Sequence, residues 1–110
     1  MKTVRMLVMV IALCGATLCC AADMALAKKQ QVAIQNFAFE PKTLTVPVGT
    51  RVVWTNHDEE PHVVTSAGGT FVSSKALDSG DTYAVMFLKP GTYTYYCSIH
   101  PMMVGTIIVQ

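Results

Sequence analysis

The sequence predicts an all-β fold: a Greek-key sandwich of two sheets with about seven or eight strands. Three observations predict it. No stretch after residue 27 sustains a helical period. Short segments alternate apolar and polar residues, the pattern of a strand with one buried face. Turn formers, chiefly Pro and Gly, separate those segments at short intervals.

The start of the chain stands outside that fold. Lys2 and Arg5 are basic, Met6 to Ala22 carries no charge, and Ala25-Leu26-Ala27 is a small-residue exit. These are the parts of a secretory signal peptide. The uncharged run falls short of the roughly 20 residues that a spanning helix needs. We therefore expect residues 1–27 to be a signal peptide, cleaved after Ala27. Residues 28–110 would form one exported, periplasmic domain with no stable membrane insertion after cleavage.

Along that domain, Gln31 to Phe37 alternates, with Val32 and Ile34 on one side. Thr43 to Val46 reads Thr-Leu-Thr-Val, and Pro47-Val48-Gly49-Thr50 turns the chain. Arg51 to Thr55 is β-branched and aromatic around Trp54, as strands favour. His62 to Thr65 reads as a short strand. Ala67-Gly68-Gly69 interrupts the chain, and Thr70 to Val72 resumes it. Ser73 to Gly80 is the least regular stretch and has room for a short helix. Asp81 to Phe87 places Tyr83, Val85 and Phe87 on one face. Lys89-Pro90-Gly91 turns, Thr92 to Cys97 alternates Thr with Tyr, and Val104 to Val109 forms the last strand.

Charge excludes one class of partner. Lys28, Lys29, Lys42, Arg51, Lys75 and Lys89 are matched one for one by Glu40, Asp58, Glu59, Glu60, Asp78 and Asp81. A domain without net charge has no electrostatic footprint for nucleic acid. Cysteine usage is sharper. Cys14, Cys19 and Cys20 lie in the leader, so the mature domain keeps only Cys97. An exported domain with one cysteine has no internal disulfide, and an exposed thiol there is a liability. Cys97 is either buried and inert or held by a metal.

Its surroundings favour the metal. Cys97, His100 and Met103 form Cys-x-x-His-x-x-Met. Two histidines, a cysteine and a weak axial methionine are the ligands of a blue-copper electron-transfer centre. A second histidine must come from elsewhere, and His57 and His62 are the remaining two. His57 lies in a polar loop beside Asp58, Glu59 and Glu60. His62 follows Pro61 and enters the apolar Val63-Val64, so His62 is the choice. Structural zinc sites use four Cys or His ligands, and methionine is not among them. Cysteine–histidine hydrolysis needs a base hydrogen-bonded to the thiol, which fits poorly in a tight loop shared with methionine. No catalytic residue is expected. A copper enzyme needs further histidine-built centres, and His57 alone is left over. The expected metal set is His62, Cys97, His100 and Met103, holding one copper per chain that passes between Cu(I) and Cu(II).

These residues carry a family resemblance. Phe39-Glu40-Pro41, Leu44-Thr45-Val46, Val53-Trp54-Thr55-Asn56, Pro61-His62, and Tyr93 through Met103 follow in the order of the cupredoxins. The sequence resembles their plastocyanin and amicyanin type, and among these amicyanin most. The resemblance covers about Val32 to Gln110 and implies a type 1 electron carrier. It implies a monomer that meets redox proteins such as a c-type cytochrome or a periplasmic dehydrogenase. It also implies that the Asn56 backbone N–H donates to the Cys97 sulfur. His100 would expose one edge, and Pro101 and Met102, with Ile99 nearby, would form an apolar rim around it. Asp58, Glu59 and Glu60 would be placed to steer a basic partner. Ile99 stands where such loops usually carry Pro. It keeps its N–H as a second donor to the sulfur, which would raise the reduction potential relative to Ile99→Pro. The competing function is a periplasmic copper carrier or buffer with the same ligands and no dedicated electron transfer.

Overall fold

The computed structural model describes residues 28–110; the expected signal peptide and cleavage site, with Cys14, Cys19 and Cys20, fall outside the described residues. Among the described residues no helix is long and apolar enough to cross a membrane.

Alternating sequence becomes alternating burial. Strand β1, Lys29–Gln35, buries Val32 and Ile34 and exposes the residues at its ends. A two-residue turn, Asn36-Phe37, leads into β2, Ala38–Glu40. β3 is Thr43–Val46 and β4 is Thr50–Asn56. In β4 the side chains of Thr50, Val52, Trp54 and Asn56 all face inward. β5 is the short Thr65–Ser66, β6 is Thr82–Phe87, β7 is Gly91–Cys97 and β8 is His100–Val109.

The eight strands make two four-stranded sheets, ordered β2-β1-β4-β6 and β3-β8-β7-β5. Each sheet contains one parallel pair, β1 with β4 and β3 with β8. Parallel neighbours cannot be joined by a hairpin, so the chain crosses between the sheets, as the Greek-key expectation requires. The inner faces meet around Trp54 and Tyr95, whose rings lie edge to face at 5.3 Å. Phe39 packs on the other side of Tyr95 at 4.7 Å, and Val32, Ile34 and Ile107 close the layer without exposure.

Four local expectations differ. His62 to Thr65 is not one strand: His62 makes an isolated bridge to Leu77, and the β5 ladder holds only Thr65 and Ser66. Thr70 to Val72 does not resume a strand, and Ser73 to Gly80 forms no helix. The segment is instead tied down by its hydroxyls. Ser74 Oγ accepts the Val64 N–H and Ser73 Oγ accepts the Ser66 N–H, so side chains replace a ladder. The helical turn among the described residues is a single 3-10 turn, Ala67–Gly69, where Gly68 takes φ 78. The last strand begins four residues earlier than its alternation suggests, at His100 rather than Val104.

Candidate metal centre

Cys97 ends β7 and His100 begins β8. The two are paired across the strands, with Ser98 and Ile99 forming the turn and a register shift at Tyr96/Cys97. Two intervening residues are what a tight hairpin needs, so this spacing folds the thiol and the imidazole onto each other. Cys97 Sγ lies 3.7 Å from His100 Nδ1. Cys97 is fully buried, and His100 is partly exposed.

His62 comes from the connection between β4 and β5. Its backbone exchanges two hydrogen bonds with Leu77. In extended chain successive N–H groups point opposite ways, so the next one, from Val63, faces Cys97 and donates to its sulfur at 3.3 Å. This corrects an expectation. The Asn56 N–H does not reach the sulfur, because it donates to the Asp81 carbonyl. Among the described residues Val63 is the backbone donor to Cys97 Sγ. The Ile99 N–H makes no such bond, and the proposed increase in potential loses its geometric basis.

His62 is fully buried. Its Nδ1 lies 3.9 Å from Cys97 Sγ and 3.2 Å from His100 Nδ1. The donor atoms of His62, Cys97 and His100 all lie within 4.8 Å of one another, a cluster that one metal ion can bridge. Met103 follows on β8 and is 4% exposed, whereas its neighbour Met102 is 94% exposed. Between the two methionines, only Met103 is on the interior side of the strand. His57 is exposed and belongs to no part of the cluster. A cysteine sulfur beside two imidazoles is a donor set that suits copper, and a thioether would complete it.

Two partners escaped the sequence reading. Asp58 was expected to be a surface charge, but its carboxylate turns inward and accepts His62 Nε2–H at 2.9 Å. That bond assigns the proton to Nε2 and leaves Nδ1 free to face the cluster. Burial opposes ionisation of Asp58. The N–H groups of Phe37 and Asn36 and the His62 ring outweigh it, holding the carboxyl below the usual 3.8. Phe37 is the second. Its ring meets His62 edge to face at 5.2 Å and His100 at 5.1 Å. Nothing in its alternation marked Phe37, since half of it is exposed. With Ile99, Pro101 and Met102 it forms an apolar surface around the His100 edge.

Comparison with known proteins agrees with this geometry. The sequence profile of the family described as "Cupredoxin-like domain" matches residues 6–109. Amicyanin-alpha of Methylorubrum extorquens is 36% identical over 84 residues, covering 73% of this chain and 71% of that protein. The chloroplastic plastocyanin of Tetradesmus obliquus is also 36% identical over 84 residues, covering 66% of this chain and 58% of that protein. Equal identities associate the chain with the amicyanin and plastocyanin group without preferring either. A solved purple cupredoxin from Nitrosopumilus maritimus superposes with a TM-score of 0.68 at 35% identity, covering 74% of this chain and 99% of its own.

Proposed function

The chain belongs to the cupredoxin family, and from that footing we propose that it is an exported type 1 copper protein that carries single electrons between redox proteins. One observation carries the reading: the donor atoms of His62, Cys97 and His100 converge within 4.8 Å, and Met103, three residues after His100 on β8, is buried. Bound copper would supply one-electron chemistry, as Cu(II) and Cu(I).

The chain's own residues supply the rest. His62, Cys97, His100 and Met103 are the proposed ligands. Val63 N–H stabilises the Cys97 thiolate, and the sheet behind it keeps the sulfur from moving. Asp58 holds the orientation of the His62 ring. His100 is the member of the cluster that reaches solvent, so a docked partner meets its ring first. The apolar rim of Phe37, Ile99, Pro101 and Met102 suits brief contact, because weak redox encounters bury little surface. Partners of this kind include a c-type cytochrome or a periplasmic dehydrogenase. The proposed role is non-enzymatic and the proposed location periplasmic. Glu59 and Glu60 remain exposed near the site and favour a basic partner face.

The test is an absorption spectrum of the purified protein with stoichiometric Cu(II). We expect an intense band at about 600 nm from copper–thiolate charge transfer, absent in Cys97→Ser. Stopped-flow mixing with a c-type cytochrome should then give rapid, reversible exchange. A blue protein that exchanges no electrons would be a copper buffer instead. No band from folded, copper-loaded protein would remove the type 1 assignment.

A further inference from the structure

One carboxylate joins the loop after β4 to the turn between β1 and β2. Asp58 Oδ1 accepts the Asn36 N–H at 2.8 Å, and Oδ2 accepts the Phe37 N–H at 2.9 Å. The same Oδ2 accepts His62 Nε2–H, also at 2.9 Å. An ionised carboxylate has about four acceptor sites, so a single oxygen can serve both partners. Asp58 is itself fixed, because its N–H donates to Asn56 Oδ1 and Asn56 is fully buried.

The turn needs that support. Asn36 and Phe37 take φ of 56 and 57, the left-handed region that a bulky side chain such as Phe rarely enters. Burial does not explain the choice, since the Phe37 ring stays half exposed. What the conformation achieves is contact. The ring stands at 87° to His62 and 89° to His100, touching both imidazoles with one edge-to-face geometry. His100 lies at a hairpin end beside solvent, and Phe37 covers a side of it that would otherwise be open.

We propose that Asp58 is a positioning residue for both histidines, holding His62 directly through Nε2–H and His100 indirectly through the Phe37 ring that its carboxylate keeps in place. The inference rests on the reading of His62 and His100 as copper ligands. It adds a clip that neither the ligand spacing nor the alternation contains. Asp58 is thereby removed from the surface charges available to a partner.

Two variants separate the two arms. In Asp58→Asn an amide N–H₂ faces a backbone N–H or His62 Nε2–H, donor against donor. Phe37→Gly keeps the backbone N–H and suits the positive φ, so it removes the ring alone. Nitrogen-15 NMR of the metal-free protein reads the His62 Nε2 proton. Competition with a Cu(I) chelator reads affinity, and voltammetry reads potential. The expected result for Asp58→Asn is rapid exchange of that proton and a 10–100-fold loss of Cu(I) affinity, the usual effect of losing such a partner. Its potential rises, because the carboxylate charge that favoured Cu(II) over Cu(I) is gone. Phe37→Gly leaves the proton protected and still weakens Cu(I) binding, by a smaller factor.

Wild-type affinity and a protected proton in Asp58→Asn would overturn the direct arm. Wild-type affinity in Phe37→Gly would overturn the indirect arm, and that variant decides even where Asp58→Asn does not fold. Failure of the carrier reading is seen separately, as copper binding that depends on both residues in a protein that exchanges no electrons with cytochrome.

Discussion

Asn56 touches no proposed ligand atom, yet it shapes the loop that delivers His62. Its Nδ2 donates to the carbonyls of Glu60 and Leu77, and its Oδ1 accepts the Asp58 N–H. Truncation removes three hydrogen bonds; the Leu77 carbonyl keeps the His62 N–H, but the Asp58 N–H and the Glu60 carbonyl lose this partner. Asn56→Ala should cost about 3 kcal/mol, measured by urea denaturation of the metal-free protein. Tyr95 makes the opposite case. Its hydroxyl is buried; the Trp54 indole N–H lies close enough to temper the effect, but neither atom meets hydrogen-bond geometry. Burial pushes the phenol up from 10.0 to about 12. The sign follows: the unfolded phenol ionises near 10 while the folded one keeps its proton to about 12. The stability this shift represents is therefore complete below pH 10 and lost as pH rises toward 12. The loss reaches at most ~2.7 kcal/mol at the usual value per unit. Tyr95→Phe should reduce this alkaline loss at little cost near neutrality, read as Tm against pH. Burial shifts Tyr83 in the same direction, so some alkaline sensitivity should remain.

At the scale of elements, the β7–β8 hairpin does most of the positioning. It pairs Cys97 with His100 at one end and Tyr95 with Gly105 two rungs away. Gly105 has no unusual backbone angle; it is small because Tyr95 occupies the space above it. A Cβ there would sit 2.4 Å from the Tyr95 ring and hydroxyl. Gly105→Ala should therefore displace Tyr95 from the Trp54–Phe39 layer and destabilise the domain by about 1–3 kcal/mol. Calorimetry of the metal-free protein checks this, and Gly105→Ala with Tyr95→Phe should not restore stability, since the ring itself is in the way. The turn at the other end of β1 works differently. Its Asn36-Phe37 pair is not held by its own sequence but by Asp58, from 21 and 22 residues away.

The whole domain is small, and a domain of this size leaves much of its surface unburied. A ligand that binds only the folded state adds stability by mass action. His62 lies in the β4–β5 connection and bridges Leu77, whereas Cys97 and His100 belong to the β7–β8 hairpin, so the donor cluster exists only once these distant segments have come together. Copper at a thousandfold excess over its Kd should stabilise by about 4 kcal/mol, and each kcal/mol raises Tm by about 4–8 °C in a domain this small. Differential scanning calorimetry with and without copper checks this, and Cys97→Ser should lose most of the increment.

The sequence by itself determined the fold class and the face each strand buries. Alternation at period two is a local property, and it puts Val32 with Ile34, and Tyr83 with Val85 and Phe87, on one face wherever their strands come to lie. The sequence also put Cys97 against His100, because a tight hairpin turns their two-residue gap into spatial contact, while Met103 was chosen for its thioether and not for its place in the fold. Where the irregular segment 62–80 was read by alternation, the reading failed, because serine hydroxyls there take the place of a ladder. Only the tertiary structure decided which groups surround the cluster. Val63 rather than Asn56 donates to the sulfur, since the His62 bridge to Leu77 sets which N–H faces Cys97. Asp58 turns inward, and Phe37 stands against two imidazoles far along the chain. Each of these is a contact between segments that meet only when the sheets pair, and no local pattern records a hydrogen bond whose two ends are chosen by different strands.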